Sequence, residues 1–148
     1  MKVADKNYKT TKYAVTIRVE KPRSWIFYHL LNNVDKFWPE DFKGQSAQLN
    51  DEFEFSSGGN HYSKNKVHEL VPDSKLVWLV TESIRKDDNF DWSGTKMIFE
   101  LAEEGQNTLL TFTYDGLVFE DEYDRLVMIC DKVIGEILFN YLTESGNI

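Results

Sequence analysis

The chain has 148 residues and a formal net charge of −8. That is the size of one domain able to bury a core, and the acidity argues against nucleic acid, whose phosphates require a basic patch. Aromatic residues reach 14%, with ten Phe, seven Tyr and four Trp; such side chains fill cores, and they also line cavities wide enough for a ligand.

Tyr13, Val15, Ile17 and Val19 alternate with Ala14, Thr16, Arg18 and Glu20, the period-two mark of a strand with one buried face. Pro22 suits the first turn of a helix, where its missing N–H costs nothing. Trp25, Ile26, Phe27, Leu30 and Leu31 then make a short apolar helix closed by Asn32-Asn33, with one further turn over Val34 to Trp38. Residues 45–56 read as a hairpin turned at Asn50-Asp51, with Phe53 and Phe55 on one face. A strand over 61–71 ends at Pro72-Asp73. Leu76, Trp78 and Val80 alternate on the next strand, and Met97, Phe99 and Leu101 on the one after it. Leu110, Phe112 and Tyr114 line the last, which is expected to stop at Gly116.

A helical pattern follows over about 121–143, carried by Tyr123, Leu126, Val127, Cys130, Val133, Ile134, Ile137, Leu138, Tyr141 and Leu142. Asp121, Glu122 and Asp124 in its first turn favour the positive end of the helix dipole. Gly135 inside the pattern costs about 1 kcal/mol relative to Ala, which close approach to the sheet or a bound molecule would explain. The predicted fold is α+β: a curved antiparallel sheet of about seven strands wrapped around a long C-terminal helix, with two short helices after strand 1. Residues 1–148 form a single domain in this reading. Such a shape commonly encloses an apolar pocket.

Catalytic signatures are absent: the sequence has no Gly-rich phosphate loop, no nucleophile elbow and no His-Glu-x-x-His. Cys130, the only cysteine, lies among apolar helix positions and packs as a small hydrophobe. His61 and His68 stand seven apart on one extended segment, which puts them on opposite faces, so neither a shared metal nor any other cofactor is expected. His29 is placed on the short helix, partly exposed. The acidic run Asp87-Asp88-Asn89-Phe90-Asp91 lacks the ligand spacing of a calcium loop, while Phe90 and Trp92 suit a lid over a cavity mouth. Alternation groups Glu69 with Val67 and Val71, an inward face on which a carboxylate would act as a polar anchor, acid or base; the alternative is that a bulge turns it outward or that a Lys or Arg neutralises it. Tyr114, at the end of an apolar strand face, offers a second polar group.

Charge is uneven. Residues 1–24 carry seven Lys/Arg against Asp5 and Glu20, whereas residues 115–148 carry eight acids against Arg125 and Lys132. Lys2, Lys6, Lys9 and Lys12 facing Asp121, Glu122 and Asp124 form a candidate contact for a protein partner or a homodimer. No apolar stretch reaches membrane-spanning length and the N-terminus lacks a signal-peptide core, so the expected location is the cytoplasm, without a membrane.

The segments Val67-x-Glu69-Leu70-x-Pro72 with Lys75-Leu76-Val77-Trp78, then Phe99-Glu100-Leu101, then Thr108-x-Leu110-Thr111-Phe112-Thr113-Tyr114-x-Gly116-Leu117 stand in the order just described. Together they resemble the START-like (SRPBCC) superfamily. Within it the chain is similar to the family named after the activator of heat-shock protein 90 ATPase, over roughly residues 12–143. The resemblance implies a helix-grip fold with a cavity between the sheet and the C-terminal helix. Members range from co-chaperone domains of the stress response to lipid carriers and cyclases, so the fold does not fix the function.

The expected function is a binding module for a small hydrophobic or aromatic ligand such as a lipid or polyketide-like molecule. Trp78, Met97, Phe99, Phe112 and Tyr114 are the expected sheet-side lining, with Val127, Ile134 and Leu138 on the helix side and Glu69 as the polar anchor. The alternatives are a co-chaperone-like interaction domain, monomeric or homodimeric, and a cyclase-like or hydrolase-like enzyme using Glu69 and Tyr114.

Overall fold

The computed structural model describes residues 8–58, 61–85, 92–119 and 123–144. The acidic run at 87–91, Lys2 and Lys6 of the basic arm, Asp121 and Glu122 lie outside the described residues. Seven strands form one sheet in the order β1-β7-β6-β5-β4-β3-β2, and every neighbouring pair is antiparallel. They are β1 (Tyr8–Val19), β2 (Asp41–Gly44), β3 (Glu52–Ser57), β4 (His61–Val71), β5 (Lys75–Arg85), β6 (Lys96–Glu104) and β7 (Asn107–Phe119). Strands β2 to β7 follow one another as hairpin neighbours, which local turns dictate. The chain passes from β1 to the opposite edge through α1 (Arg23–Asn32) and α2 (Val34–Phe37).

The helical run after β7 consists of α3 (Tyr123–Lys132), a π-helical stretch Val133–Leu138 and α4 (Phe139–Glu144). Its buried side chains Leu126, Cys130, Val133, Ile134, Leu138 and Leu142 join the same core as Trp78, Phe99, Leu110 and Phe112 of the sheet. The antiparallel sheet, the two short helices and the C-terminal helix are the α+β helix-grip-like arrangement expected.

Several local expectations need correction. Strand β7 does not stop at Gly116 but runs on to Phe119. A Cβ on Gly116 would stand 2.4 Å from Thr95 Cγ2 and 3.2 Å from Thr95 Cα, so the glycine marks a close approach of another chain segment rather than a strand end. The hairpin expected over 45–56 pairs 41–44 with 53–56. Its connection is the loop 45–51, in which Asp51 Oδ2 accepts hydrogen bonds from the backbone N–H groups of Ala47 (3.1 Å) and Gln48 (3.0 Å). Pro22 stands one position earlier than expected, as the N-cap of α1. Gly135 has nothing within 4 Å of an added Cβ, so neither the sheet nor any other described group requires a glycine there.

Helix α1 is tied to the C-terminal helix by a polar cluster. Tyr141 Oη and Asn33 Nδ2 both lie against His29 Nδ1, at 2.9 and 2.8 Å, and Asn33 Nδ2 also donates to Tyr141 Oη at 3.0 Å. The Asn33 amide nitrogen can only donate, so Nδ1 meets it with its lone pair, hence a neutral imidazole. The Trp25 ring covers the imidazole, with centroids 4.0 Å apart. Burial, and secondarily Lys36, holds the His29 pKa below its ordinary 6.5. The folded chain therefore takes up this proton less readily than the unfolded chain. Its contribution to stability is complete above pH 6.5 and is lost as the pH falls through the folded-state value. Urea midpoints measured between pH 7.5 and 5 should fall more steeply for the wild type than for His29→Gln; equal slopes would remove His29 from the acid response.

Candidate functional site

A cavity of about 300 Å³ opens between the sheet and the C-terminal helix. Its construction begins at the end of α2. Trp38 stacks on Phe55 of β3 with ring centroids 4.7 Å apart and planes at 11°, and meets Trp78 edge-on at 5.5 Å. These contacts fix the indole as one wall. Trp92 is set by the turn that crosses Gly116: Thr95 Oγ1 donates to Trp92 O at 2.6 Å, Val80 N–H to Thr95 O at 2.9 Å and Gly94 N–H to Val80 O at 2.7 Å. Its ring meets Tyr114 edge-on at 5.0 Å. Val80 and Met97 contribute sheet side chains, and Ile129 and Val133 contribute the helix side. A smaller recess of about 30 Å³ leads on to Phe112, Cys130 and Ile134.

The polar groups of the cavity are Glu40, Ser57, His61 and Ser63. Glu40 follows α2 and is held from both sides. Its Oε1 accepts the Trp38 indole N–H at 3.2 Å, and its Oε2 meets His61 Nδ1 at 2.5 Å. The two side chains retain only 19% and 16% exposure, so the pair sits largely out of water. His61 Nε2 is buried and has no hydrogen-bond partner among the described residues. Deeper on β4, Asn65 is fully buried and its Nδ2 donates to Ser63 Oγ at 3.3 Å. Thus β4 turns His61, Ser63, Asn65 and Val67 inward, polar near the cavity and apolar at the core.

Of the residues expected at the site, Met97 lines the main cavity, and Phe112 and Ile134 line the recess. Trp78, Phe99, Tyr114 and Leu138 are fully buried in the core behind it. Trp78 and Phe99 meet edge-on at 4.9 Å, and Phe99 meets Phe112 at 5.1 Å. Val127 is half-buried on α3.

Glu69 faces outward, contrary to the alternation argument. Val67 pairs with Trp78 and Glu69 with Val77, leaving His68 as an extra residue on β4. This bulge reverses the inside–outside parity, so Glu69 and Val71 are exposed and the Glu69 carboxylate lies 3.4 Å from Lys75 Nζ. Glu69 and the buried Tyr114 therefore do not form an acid–base pair.

Sequence reasoning missed Glu40, and weighed His61 only as half of a metal site shared with His68, which it set aside. The signal for His61 was present: counting back by twos from the inward Val67 reaches it through Asn65 and Ser63. No group of three or more His, Cys, Asp or Glu able to hold a metal occurs among the described residues. Burial pushes the Cys130 thiol up to about 12, so it is not a thiolate nucleophile at neutral pH. No described helix is long and apolar enough to cross a membrane.

The family model "Activator of Hsp90 ATPase homolog 1-like protein" matches residues 14–144, whereas no curated protein is a significant match. Among solved structures, the chain is similar to the Aha1 dimer from Colwellia psychrerythraea, with a TM-score of 0.71 and 19% identity over 89% of this chain and 96% of that one. CalU16 from Micromonospora echinospora gives 0.62 and 14% over 93% and 83%. An Hsp90 activator from Plasmodium falciparum gives 0.62 and 14% over 88% and 92%. At these identities the structural likeness establishes the fold; the family match spans most of the sequence, and on it the chain belongs to the Activator of Hsp90 ATPase homolog 1-like family.

Proposed function

We propose that this domain is a binding module that holds a small hydrophobic or aromatic molecule between its sheet and its C-terminal helix. The observation that carries this reading is the cavity of about 300 Å³, a volume at the lower end of small-molecule sites. A core elsewhere filled by interlocked rings does not leave such a space by default, because interiors pack nearly as densely as organic crystals. The walls are indole, phenyl and aliphatic groups, and the few polar side chains cluster on one side. That is the composition by which a site gains affinity from apolar area and orientation from polar contacts.

Native mass spectrometry of protein isolated from its own host tests the reading. An adduct of small-molecule mass that disappears under denaturing conditions is the expected result. Val80→Phe, which puts a ring into the cavity, should remove the adduct while the circular dichroism spectrum persists. Protein that carries no adduct, and whose tryptophan fluorescence is unmoved by any apolar probe, would sink the proposal.

A second reading is a protein-interaction role, favoured by the family name and by the neighbour described as an Hsp90 activator. Of the charges expected to serve it, Lys12 and Asp124 are exposed, and Lys12 Nζ lies 3.9 Å from Asp115. Contacts between exposed charges are screened over about 8 Å at physiological salt, so chaperone capture that weakens as salt rises is the mark of this role. The neighbour described as a dimer motivates a homodimer, which sedimentation would detect.

A further inference from the structure

The unused chemistry of the cavity lies in three side chains, Trp38 and Glu40 from the segment after α2 and His61 from the start of β4. Trp38 fixes one carboxylate oxygen of Glu40, and the other oxygen holds His61 Nδ1 at 2.5 Å. A carboxylate on Nδ1 keeps the hydrogen on that nitrogen and leaves the lone pair of a neutral imidazole on Nε2. Nε2 is shielded from water and has no partner among the described residues, while the ring it belongs to lines the cavity. An acceptor in that position loses its hydration without replacement. The other walls near it are aromatic: Trp38 and Phe55, stacked in parallel.

We propose that the Glu40–His61 pair is the specificity device of the cavity, and that it selects an aromatic ligand carrying a hydroxyl, whose O–H donates to His61 Nε2. Glu40 acts as a positioning residue: it touches His61 rather than the ligand hydroxyl and fixes the tautomer that presents the acceptor. Ser63 provides a complement on the same strand face. Its Oγ accepts from Asn65 Nδ2, so its own hydrogen is directed elsewhere and suits a second oxygen on the ligand. A hydroxyl also remains compatible with a protonated imidazole, which would donate to it, whereas an ether oxygen cannot donate to the neutral ring.

The inference rests on the cavity being a ligand site, and the test separates the two. Binding of 2-naphthol and 2-methoxynaphthalene is measured by quenching of tryptophan emission, since Trp38 and Trp92 line the cavity. The two probes share the ring system and its oxygen, and the second carries a methyl group in place of the donor hydrogen. Wild-type protein should prefer the naphthol by about tenfold, the size of one good hydrogen bond. His61→Phe should abolish that preference, and Glu40→Ala should reduce it by releasing the ring. Equal affinities in the wild type would overturn the hydroxyl-reading role while leaving a ligand cavity in place. So would a preference that persists in His61→Phe. Failure of both probes to bind wild-type protein would overturn the cavity reading and this inference together.

Discussion

Trp78→Ala should destabilise the domain by about 3–5 kcal/mol, the range for truncating a buried aromatic residue. The indole is fully buried on β5. Its ring stands 5.1 Å from Phe53, 6.0 Å from Phe55, 4.9 Å from Phe99 and 5.5 Å from Trp38. These neighbours come from β3, β6 and the end of α2, so the space left by truncation is bounded by several elements and cannot close by one small shift. A domain of this size has a net stability of about 5–15 kcal/mol, so the loss takes a large share of it. Trp78→Phe should cost much less. The indole N–H has no hydrogen-bond partner among the described residues, and removing a buried unpaired donor recovers about 1–3 kcal/mol against the lost volume. Chemical denaturation of the three proteins checks both statements. A Trp78→Ala midpoint close to wild type would mean that the aromatic cluster is not the mechanical centre of the sheet. Because Trp38 rests on this cluster, the same truncation should loosen the cavity wall and weaken any ligand bound there.

Much of this architecture was legible from local pattern. Period-two apolar runs at 13–19, 76–80, 97–101 and 110–114 fell on strands because each sheet face is either buried or wet. Hairpin-length gaps between those runs left antiparallel neighbours as the natural order. The three- and four-residue spacing after residue 121 gave a helix, though not the π-helical stretch at Val133–Leu138, which keeps nearly the same buried face. Features set by a neighbouring strand were not legible. The bulge at His68 is visible only in the pairing of β4 with β5, where Glu69 rather than His68 opposes Val77, and no residue within β4 announces it; with that one inserted residue Glu69 faces outward beside Lys75. Gly116 read as a strand end because its reason for being glycine is Thr95, 21 positions away. The Glu40–His61 pair was hidden for the same cause. Glu40 lies in a connection without periodicity, and only the folded sheet brings it to the first residue of β4.

Gly44→Ala should cost about 3 kcal/mol or more, because two penalties coincide there. The residue ends β2 with φ at +118°, outside the left-handed helical well that other residues tolerate. An added Cβ would also stand 2.6 Å from Glu52 O and 2.8 Å from Phe53 Cα, both backbone atoms of the paired strand. A side chain at fault can rotate away; a backbone in register cannot without breaking the pairing of Gly44 with Phe53. Gly105→Ala is the control. That glycine has φ at +64° but open space around its Cβ, so it meets only the left-handed penalty of about 1–2 kcal/mol. The difference between the two variants in urea denaturation therefore measures what the close backbone contact and the wider φ of Gly44 add to the left-handed penalty alone. If Gly44→Ala lost no more than Gly105→Ala, β2 would have room to move away from β3, and the edge beside Phe55 would be softer than its packing implies. Phe55 carries the Trp38 wall, so Gly44→Ala should also reduce affinity for apolar probes at temperatures where the domain remains folded, whereas Gly105→Ala, on the β6–β7 turn away from the cavity lining, should leave that affinity unchanged.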